Sequence, residues 1–396
     1  MQYSNYLLMN QALKQLCELH EKKSRRIIGL MSGTSVDGLD IAMCSVSGSG
    51  KNTAVTVDAF DSYPYPDDLR DDLIKLTRSD VVDPELLVVY HDLLTRNHAG
   101  MIQSFLDSHN IANSEVDLIA SHGHTFHHAP KHKHKRDDWP NATMQIGDGD
   151  QIAYKTGITT ISDFRQADIA RGGEGAPLAG YGDYLMFGDD QKDRVLINIG
   201  GIANLTWLPA GSDDFPPLTY DTGPGNTLMD AVIREYFKDR SYDRNAEVAG
   251  SGKVDQEVLR RLKSHWYFEL KPPKTTGYET FHRRMISDAG GDNLSVEDLM
   301  ATLCRFTAET IAEEVRKIEH KPGETEIFIS GGGVHNPLLM KHLRELLSPS
   351  TVESTLRIGL DPDAKEAVIF AVLANELICG NDPRLHLGKI SLSEFY

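Results

Sequence analysis

Two apolar runs flank a turn of small polar and glycine residues in "RRIIGLMSGTSVDGLDIAMCSVSG", which predicts strand, glycine-rich turn, strand. "DRVLINIGGIANLTWLPAG", residues 193–211, repeats the plan, with Arg194 standing before its first run as Arg26 does in the earlier one. Helical spacing predicts helices in "PDDLRDDLIKLTRS", "PELLVVYHDLLTRNHAGMIQSFLDSHNI" and "DAKEAVIFAVLANELICG", while "VDLIASHGH" and "GITTISDFR" read as short buried strands. Two more glycine knots lead from a strand into a helix: "YDTGPGNTLMDAVIREYF" at 220–237 and "EIFISGGGVHNPLLMKHLRELL" at 326–347. The alternation makes the chain α/β. Ahead of it, Leu8, Ala12, Leu16 and Leu19 recur at helical spacing and predict an amphipathic helix whose apolar face docks on the body or on a partner. A homodimer is compatible with that face.

A lone glycine hairpin is a turn, with Gly supplying positive φ and Ser, Thr and Asp bonding nearby backbone. Two such hairpins opening two α/β halves, joined by two strand–glycine–helix junctions, point instead to a split phosphate clamp. In that design ATP lies in a cleft between lobes, with turn N–H groups and helix N-termini supplying partial positive charge. The glycines at 331–333 let backbone approach a nucleoside closely. Competing signatures are absent. "SGSGKN" at 47–52 lacks the first Gly and the hydroxyl of a P-loop, and there is no strand-borne G-x-G-x-x-G, G-x-S-x-G or H-E-x-x-H.

At 396 residues the chain is long for one core, so two domains are expected. A net charge of −17 excludes non-specific nucleic-acid binding, which rests on Lys and Arg, but not phosphate binding by backbone N–H groups. Cys17, Cys44, Cys304 and Cys379 lie far apart without a C-x-x-C pair, which fits reduced, mostly buried thiols. No apolar stretch approaches the length of a membrane span, and the N-terminus lacks a signal-peptide pattern. A cytoplasmic protein with no membrane or nucleic-acid partner is expected.

The strings "GLMSGTSVDGLD", "IASHGHTFHHAP", "QIGDGDQIA", "DFRQADIARGGEGAPL", "LINIGGIANLT", "DTGPGN", "SGGGVHN" and "DAKEAVIFA" run in order from about residue 27 to about residue 375. Together they resemble the anhydro-N-acetylmuramic acid kinase family, within the superfamily of sugar kinases, heat-shock chaperones and actin. The resemblance implies an α/β, two-lobed actin/hexokinase-like ATPase fold with duplicated domains around a central cleft. It also implies use of ATP and Mg²⁺ to open a 1,6-anhydro sugar with water and phosphorylate its O6, in peptidoglycan recycling. The expected lobes are 27–190 with 366–396, and 191–365, after an N-terminal helical extension at 1–26. The family's "SHGQT" reads "SHGHT" here, placing His124 where Gln is usual, and "KHKHKRDDWP" at 131–140 reads as an inserted, solvated loop rather than a metal site.

Phosphoryl transfer needs positioning and charge stabilisation more than covalent help. The first phosphate hairpin is assigned to Gly33, Thr34, Ser35, Val36, Asp37, Gly38, Leu39 and Asp40, and the second to Gly200, Gly201 and Asn204. Asp221, Gly223, Gly225 and Asn226 belong to the same ATP site, with Gly331, Gly332, Gly333 and Asn336 bordering adenosine. Asp37 and Asp221 are the candidates to organise Mg²⁺, which touches only one or two carboxylates, although a turn-capping role explains Asp37 equally well. Opening the anhydro bridge calls for a carboxylate base opposite the leaving oxygen, as in inverting glycoside hydrolysis. Asp168, in the polar loop before "GGEG", is preferred over Asp163 at the strand end, with Asp183 third. His122 and His124 are candidate sugar contacts, as are Asp163 and Glu366, and Arg165 and Arg171 suit the substrate carboxylate. Two other readings stay open: a kinase of this fold for another hexose or amino sugar, and an ATP-switched binding protein, which would call for a spare domain.

Overall fold

Residues 10–33, 36–79, 81–136, 138–176, 178–212, 216–278, 280–318 and 323–393 are described by a computed structural model. The chain divides into two units, one taking it up to Met186 and again from Glu366, the other being Phe187–Lys365. In the first unit, β1 (Ser24–Ser32), β2 (Gly38–Ser47) and β3 (Ala54–Pro64) form an antiparallel meander. On the other side of β1 lies β4 (Leu118–Ala129), running parallel to it. The far half of β4 pairs with β5 (Ala142–Ile146), its near half with the parallel β6 (Thr160–Ser162).

The second unit holds β7 (Arg194–Ile199), β8 (Ile202–Leu208), β9 (Leu218–Pro224), β10 (Glu326–Ser330) and β11 (Thr351–Ser354). Their spatial order is β11-β10-β7-β8-β9, with β7 to β9 antiparallel and β10 and β11 parallel to β7. The order β6-β4-β1-β2-β3 in the first unit has the same senses. Each unit is thus a three-strand meander extended by two parallel strands. β12 (Lys389–Ser391) adds an edge beside β6 in the first unit. Parallel strands need covered faces, and the central strands comply: β1 buries Ile27, Ile28 and Leu30, and β7 buries Val195, Ile197 and Ile199.

One element is longer than its local pattern predicts. β4 runs past "SHGH" to Ala129, because β5 supplies an antiparallel partner for His124–Ala129. The His- and Lys-rich segment then connects these two strands, with a short helical turn at Lys131–His134 and the Arg136 guanidinium 4.0 Å from the Trp139 ring centre. Among the described residues, no helix is long and apolar enough to cross a membrane. All four cysteines are free, with Cys44 and Cys304 buried and Cys17 and Cys379 partly so.

The N-terminal helix spans Gln11–Glu21; Leu8 and the side chain of Ala12 lie outside the described residues. Its C-terminus ends on Arg25, a side chain only 2% exposed. Nε of Arg25 donates to the Leu19 carbonyl (2.6 Å), one terminal nitrogen to the His20 carbonyl (2.7 Å) and the other to Asn375 Oδ1 (3.1 Å). A guanidinium therefore satisfies carbonyls that a helix end leaves unpaired. Arg25→Ala is expected to cost about 2–4 kcal/mol, since two buried acceptors and one partly buried lose their donor. Turnover of the folded variant should stay within a few-fold, because no candidate site residue lies in the helix. A urea midpoint equal to that of the parent protein would dismiss the clamp.

Candidate functional site

β1 ends at Ser32, and the first glycine turn begins at Gly33; Thr34 and Ser35 lie outside the described residues. The Val36 N–H donates to the Gly33 carbonyl at 3.1 Å. Val36 is buried with φ 58°, a left-handed conformation that costs a β-branched residue about 1–3 kcal/mol. Asp37 is exposed, with Oδ1 3.7 Å from Arg70. Gly38, Leu39 and Asp40 open β2, where Asp40 Oδ1 accepts from the Ser62 hydroxyl at 2.5 Å.

Beside this turn the parallel pairing of β1 and β4 slips. Leu30 faces Ser121 and Ser32 faces His124, so β4 carries one residue more than β1 between the two pairs. Gly123 absorbs the bulge with φ 73°, and a Cβ there would sit 2.6 Å from the Ile146 carbonyl oxygen. The bulge brings His124 Nδ1 to 2.9 Å from Ser32 Oγ. Behind them, the Tyr65 hydroxyl lies 2.8 Å from Ser32 Oγ and 2.7 Å from His98 Nε2. Burial holds both rings neutral, lowering His98 to about 3 and His124 to about 4.

His122, two residues earlier, is used differently. Its Nδ1 bonds to the Gly123 carbonyl (3.0 Å), and its Nε2 accepts from Arg165 Nε (2.9 Å). Both ring nitrogens are engaged inside the protein, so the histidine steadies Arg165. Arg165 also donates to the Gly175 carbonyl at 2.8 Å. Burial brings its guanidinium down to about 10, opposed by the charges of Glu366 and Asp168. Asp168 lies in the short helix Arg165–Ala170 and not in the loop its sequence predicts; it accepts from the Gly175 N–H at 2.7 Å through Oδ2 and from the Tyr181 hydroxyl at 2.9 Å through Oδ1. Arg165, Asp168 and Glu366 thus form one electrostatic group. Asp163 and Arg171 turn elsewhere: Asp163, at φ 56°, pairs with Lys389, and Arg171 donates to the carbonyls of Arg384 and His386. Asp183 is buried in helix Ala179–Phe187.

In the second unit β7 turns into β8 through Gly200 and Gly201, and β9 leads through Gly225 and Asn226 into helix Thr227–Tyr236. The two junctions are laced together. Gly225 N–H donates to the Gly201 carbonyl (2.8 Å) and Asn226 N–H to the Gly200 carbonyl (2.8 Å), while Asn226 Nδ2 reaches Ile199 O (3.3 Å). Ser330, Asn198, Asn204 and Asp221 face one another in a row across β10, β7, β8 and β9, and Gly223 follows in β9. This polar row ends a sheet whose middle is apolar. Gly331, Gly332 and Gly333 continue β10, and Asn336 caps helix Pro337–Leu346 by accepting from the Leu339 N–H (2.9 Å).

Asp221 is clasped by one segment. Its N–H donates to the Lys274 carbonyl (2.9 Å), its carbonyl accepts from the Tyr267 hydroxyl (2.7 Å), and its Oδ2 accepts from the Thr276 N–H (2.8 Å). Lys274 in turn pairs with Glu314 at 2.7 Å, both side chains being 2% exposed. Burial pulls the Lys274 ammonium below its usual range while Glu314 opposes the shift. From the same segment the Tyr278 hydroxyl lies over the hairpin, where a Cβ on Gly201 would come within 2.2 Å of it.

The model of the anhydro-N-acetylmuramic acid kinase family matches residues 25–385. The chain belongs to that family. It is 43% identical over 401 residues to the anhydro-N-acetylmuramic acid kinase of Pseudoalteromonas atlantica, covering 98% of this chain and 100% of the relative. Its identity to the enzyme of that name from Caldanaerobacter subterraneus is 34% over 375 residues, covering 93% and 95%. Among solved structures, an activator of 2-hydroxyisocaproyl-CoA dehydratase from Clostridium difficile aligns at 10% identity and TM-score 0.45, over 89% of this chain and 95% of that one. A ROK family glucokinase from Streptomyces griseus aligns at 13% identity and TM-score 0.37, over 88% and 98%.

Membership of the anhydro-N-acetylmuramic acid kinase family leaves several residues of these constellations without a local signature. Tyr65, His98, Tyr181, Lys274 and Tyr278 reach the glycine turns and carboxylates only through the fold. The buried histidines also set a pH dependence. In the unfolded chain they titrate near 6.5, so the unfolded state takes up protons that the fold refuses, and stability falls as pH drops from 6.5 towards 4. Removing one such histidine, as in His124→Gln, is expected to recover about 2 kcal/mol of the loss between about pH 7 and pH 5. Urea midpoints at the two pH values check this, and an unchanged difference would mean that His124 titrates normally in the fold.

Proposed function

We propose that this chain uses ATP and water to convert 1,6-anhydro-N-acetylmuramic acid to N-acetylmuramic acid 6-phosphate, in the cytoplasm. The observation that carries the reading is the family match over 25–385, which spans both glycine hairpins and every assigned carboxylate. The glycine turns at 33–38 and 200–201 are assigned to the phosphates and the glycines at 331–333 to the nucleoside. Asp168 acts as the base. A carboxylate has about four lone-pair sites, so the two bonds to Gly175 and Tyr181 orient it and leave room for a water. Arg165, backed by His122, faces the substrate carboxylate.

The water gives its proton to Asp168 as its oxygen bonds to C1. The C1–O6 bond breaks, and O6 takes the γ-phosphoryl group as ADP leaves. The phosphoryl group thereby replaces the proton that a glycosidase acid would supply. Among the described residues, no group of three or more His, Cys, Asp or Glu could hold a metal ion. Mg²⁺ in phosphoryl transfer takes one or two carboxylates and completes its shell with phosphates and water. Asp221, its Oδ2 anchored by Thr276, fits this role better than the exposed Asp37. When bound, the ion neutralises charge developing on the phosphoryl oxygens.

An assay of ADP release with anhydro-muramic acid and a panel of free sugars, run in water enriched in heavy oxygen, tests the reading. Turnover is expected with the anhydro sugar, with label at C1, none in the phosphate, and no ring opening when ADP replaces ATP. Preferred turnover of a free hexose or amino sugar would move the chain to another substrate. Label in the phosphate would separate hydrolysis from phosphorylation.

A further inference from the structure

We infer that His98, Tyr65 and Ser32 form a one-way hydrogen-bond relay that fixes His124 as a neutral Nε2–H donor, aimed at an acceptor oxygen of the ligand beside the first glycine turn. The relay consists of the three contacts between 2.7 and 2.9 Å from His98 Nε2 through the Tyr65 and Ser32 hydroxyls to His124 Nδ1. Each hydroxyl has one proton to donate, and the Tyr65 and Ser32 hydroxyls, both buried, have no other acceptor among the described residues, so the chain runs wholly in one direction or wholly in the other.

If it ran from His124 towards His98, the His98 proton would sit on Nδ1. That atom is buried and has no hydrogen-bond partner among the described residues. An orphaned buried N–H is the costlier defect, and a bare ring lone pair is the milder one. The chain therefore runs outward. His98 Nε2–H donates to Tyr65, Tyr65 to Ser32, and Ser32 to His124 Nδ1, which leaves the His124 proton on Nε2. The stacking of Tyr65 on His98, with ring centres 5.8 Å apart, and the bulge at Gly123 hold the members in line. A glutamine at position 124 would carry both a donor and an acceptor and would need no relay to set them.

The kinetic arm of the test rests on the proposed sugar-kinase reading, and the spectroscopic arm does not. Nitrogen-15 NMR of the full chain is expected to show His124 and His98 both protonated on Nε2 only. Tyr65→Phe keeps the packing, breaks the relay, and should turn His124 into a mixture of tautomers. It should also raise KM for the anhydro sugar about tenfold, with KM for ATP changed less than twofold. In a His124→Gln background, whatever activity that change leaves, adding Tyr65→Phe should alter the sugar KM less than twofold. Ser32→Ala provides a second break of the relay, read by the same His124 signal. His124 protonated on Nδ1 in the unaltered protein would overturn the inference. So would an equal effect of Tyr65→Phe in both backgrounds, which would reduce Tyr65 to packing. A protein inactive on the anhydro sugar but with the expected His124 signal would sink the functional reading and keep the relay.

Discussion

Asp168→Asn is expected to lower kcat by about 10²–10⁴-fold, the usual loss when a general base is removed, with ATP and sugar affinities within about threefold. The structure explains why the change should be clean. Gly175 N–H requires an acceptor and Tyr181 Oη can donate or accept. An asparagine can give its oxygen to Gly175 and its amide nitrogen to Tyr181, so the segment from the helix end to Gly175 keeps both bonds while the charge is lost. Tyr181→Phe, by contrast, removes one orienting bond and leaves the base, and should cost about tenfold or less in kcat. Equilibrium binding of ATP and of the anhydro sugar, measured beside steady-state rates, separates chemistry from binding. An Asp168→Asn enzyme within tenfold of the parent would make Asp168 a latch for the loop that follows its helix. The base would then be whichever of Asp163 and Asp221 shows the expected pattern.

Glycine hairpins, strand–helix junctions and the longer first-unit helices, Asp67–Arg78 and Pro84–Ser108, were legible because each puts its signal in consecutive residues, whereas the short helix Arg165–Ala170 read as a loop. Duplication was legible as two similar openings, at Arg26 and Arg194. The strand order shared by the two sheets was not, because pairing partners such as β1 with β4 and β7 with β10 are far apart in the chain. Helix Val296–Lys317 escaped notice for a different reason. From Leu299 to Val315 its positions are buried or largely so, and threonines and Glu314 sit among the buried ones, which blurs the narrow polar stripe of Arg305, Glu309 and Glu313. Among candidate site residues, motif membership singled out Asp168, Arg165 and His124 but could not show what each one touches. Arg171 and His122 look alike in the sequence as sugar contacts, yet one grips the C-terminal segment and the other supports Arg165. Their partners lie between one and 215 positions away, and only packing decides among them.

Asp221→Asn is the other change with a large expected effect, a fall in turnover of about 10²–10³-fold in a protein that stays folded. Asparagine offers Oδ1 to the Thr276 N–H, and the backbone bonds to Lys274 and Tyr267 do not depend on the side chain. The clasp therefore persists while the charge disappears. Mg²⁺ dependence then distinguishes two roles for the carboxylate. If Asp221 helps to hold the ion, the Mg²⁺ concentration for half-maximal rate should rise as kcat falls, and this is the expected result. If kcat collapses with Mg²⁺ and ATP dependence unchanged, Asp221 handles a proton, and the role assigned to Asp168 passes to it. Lys274→Met probes the clasp itself. It strands Glu314 in the interior with Lys317 as its remaining ion-pair partner, and should cost about 3–5 kcal/mol of stability. At a temperature where that variant is folded, kcat should fall in the same sense as for Asp221→Asn but by less, since the carboxylate and the Thr276 N–H both remain. An unaltered kcat there would mean that the strand end carrying Asp221 is set by its own sheet, and that the buried ion pair serves the fold alone.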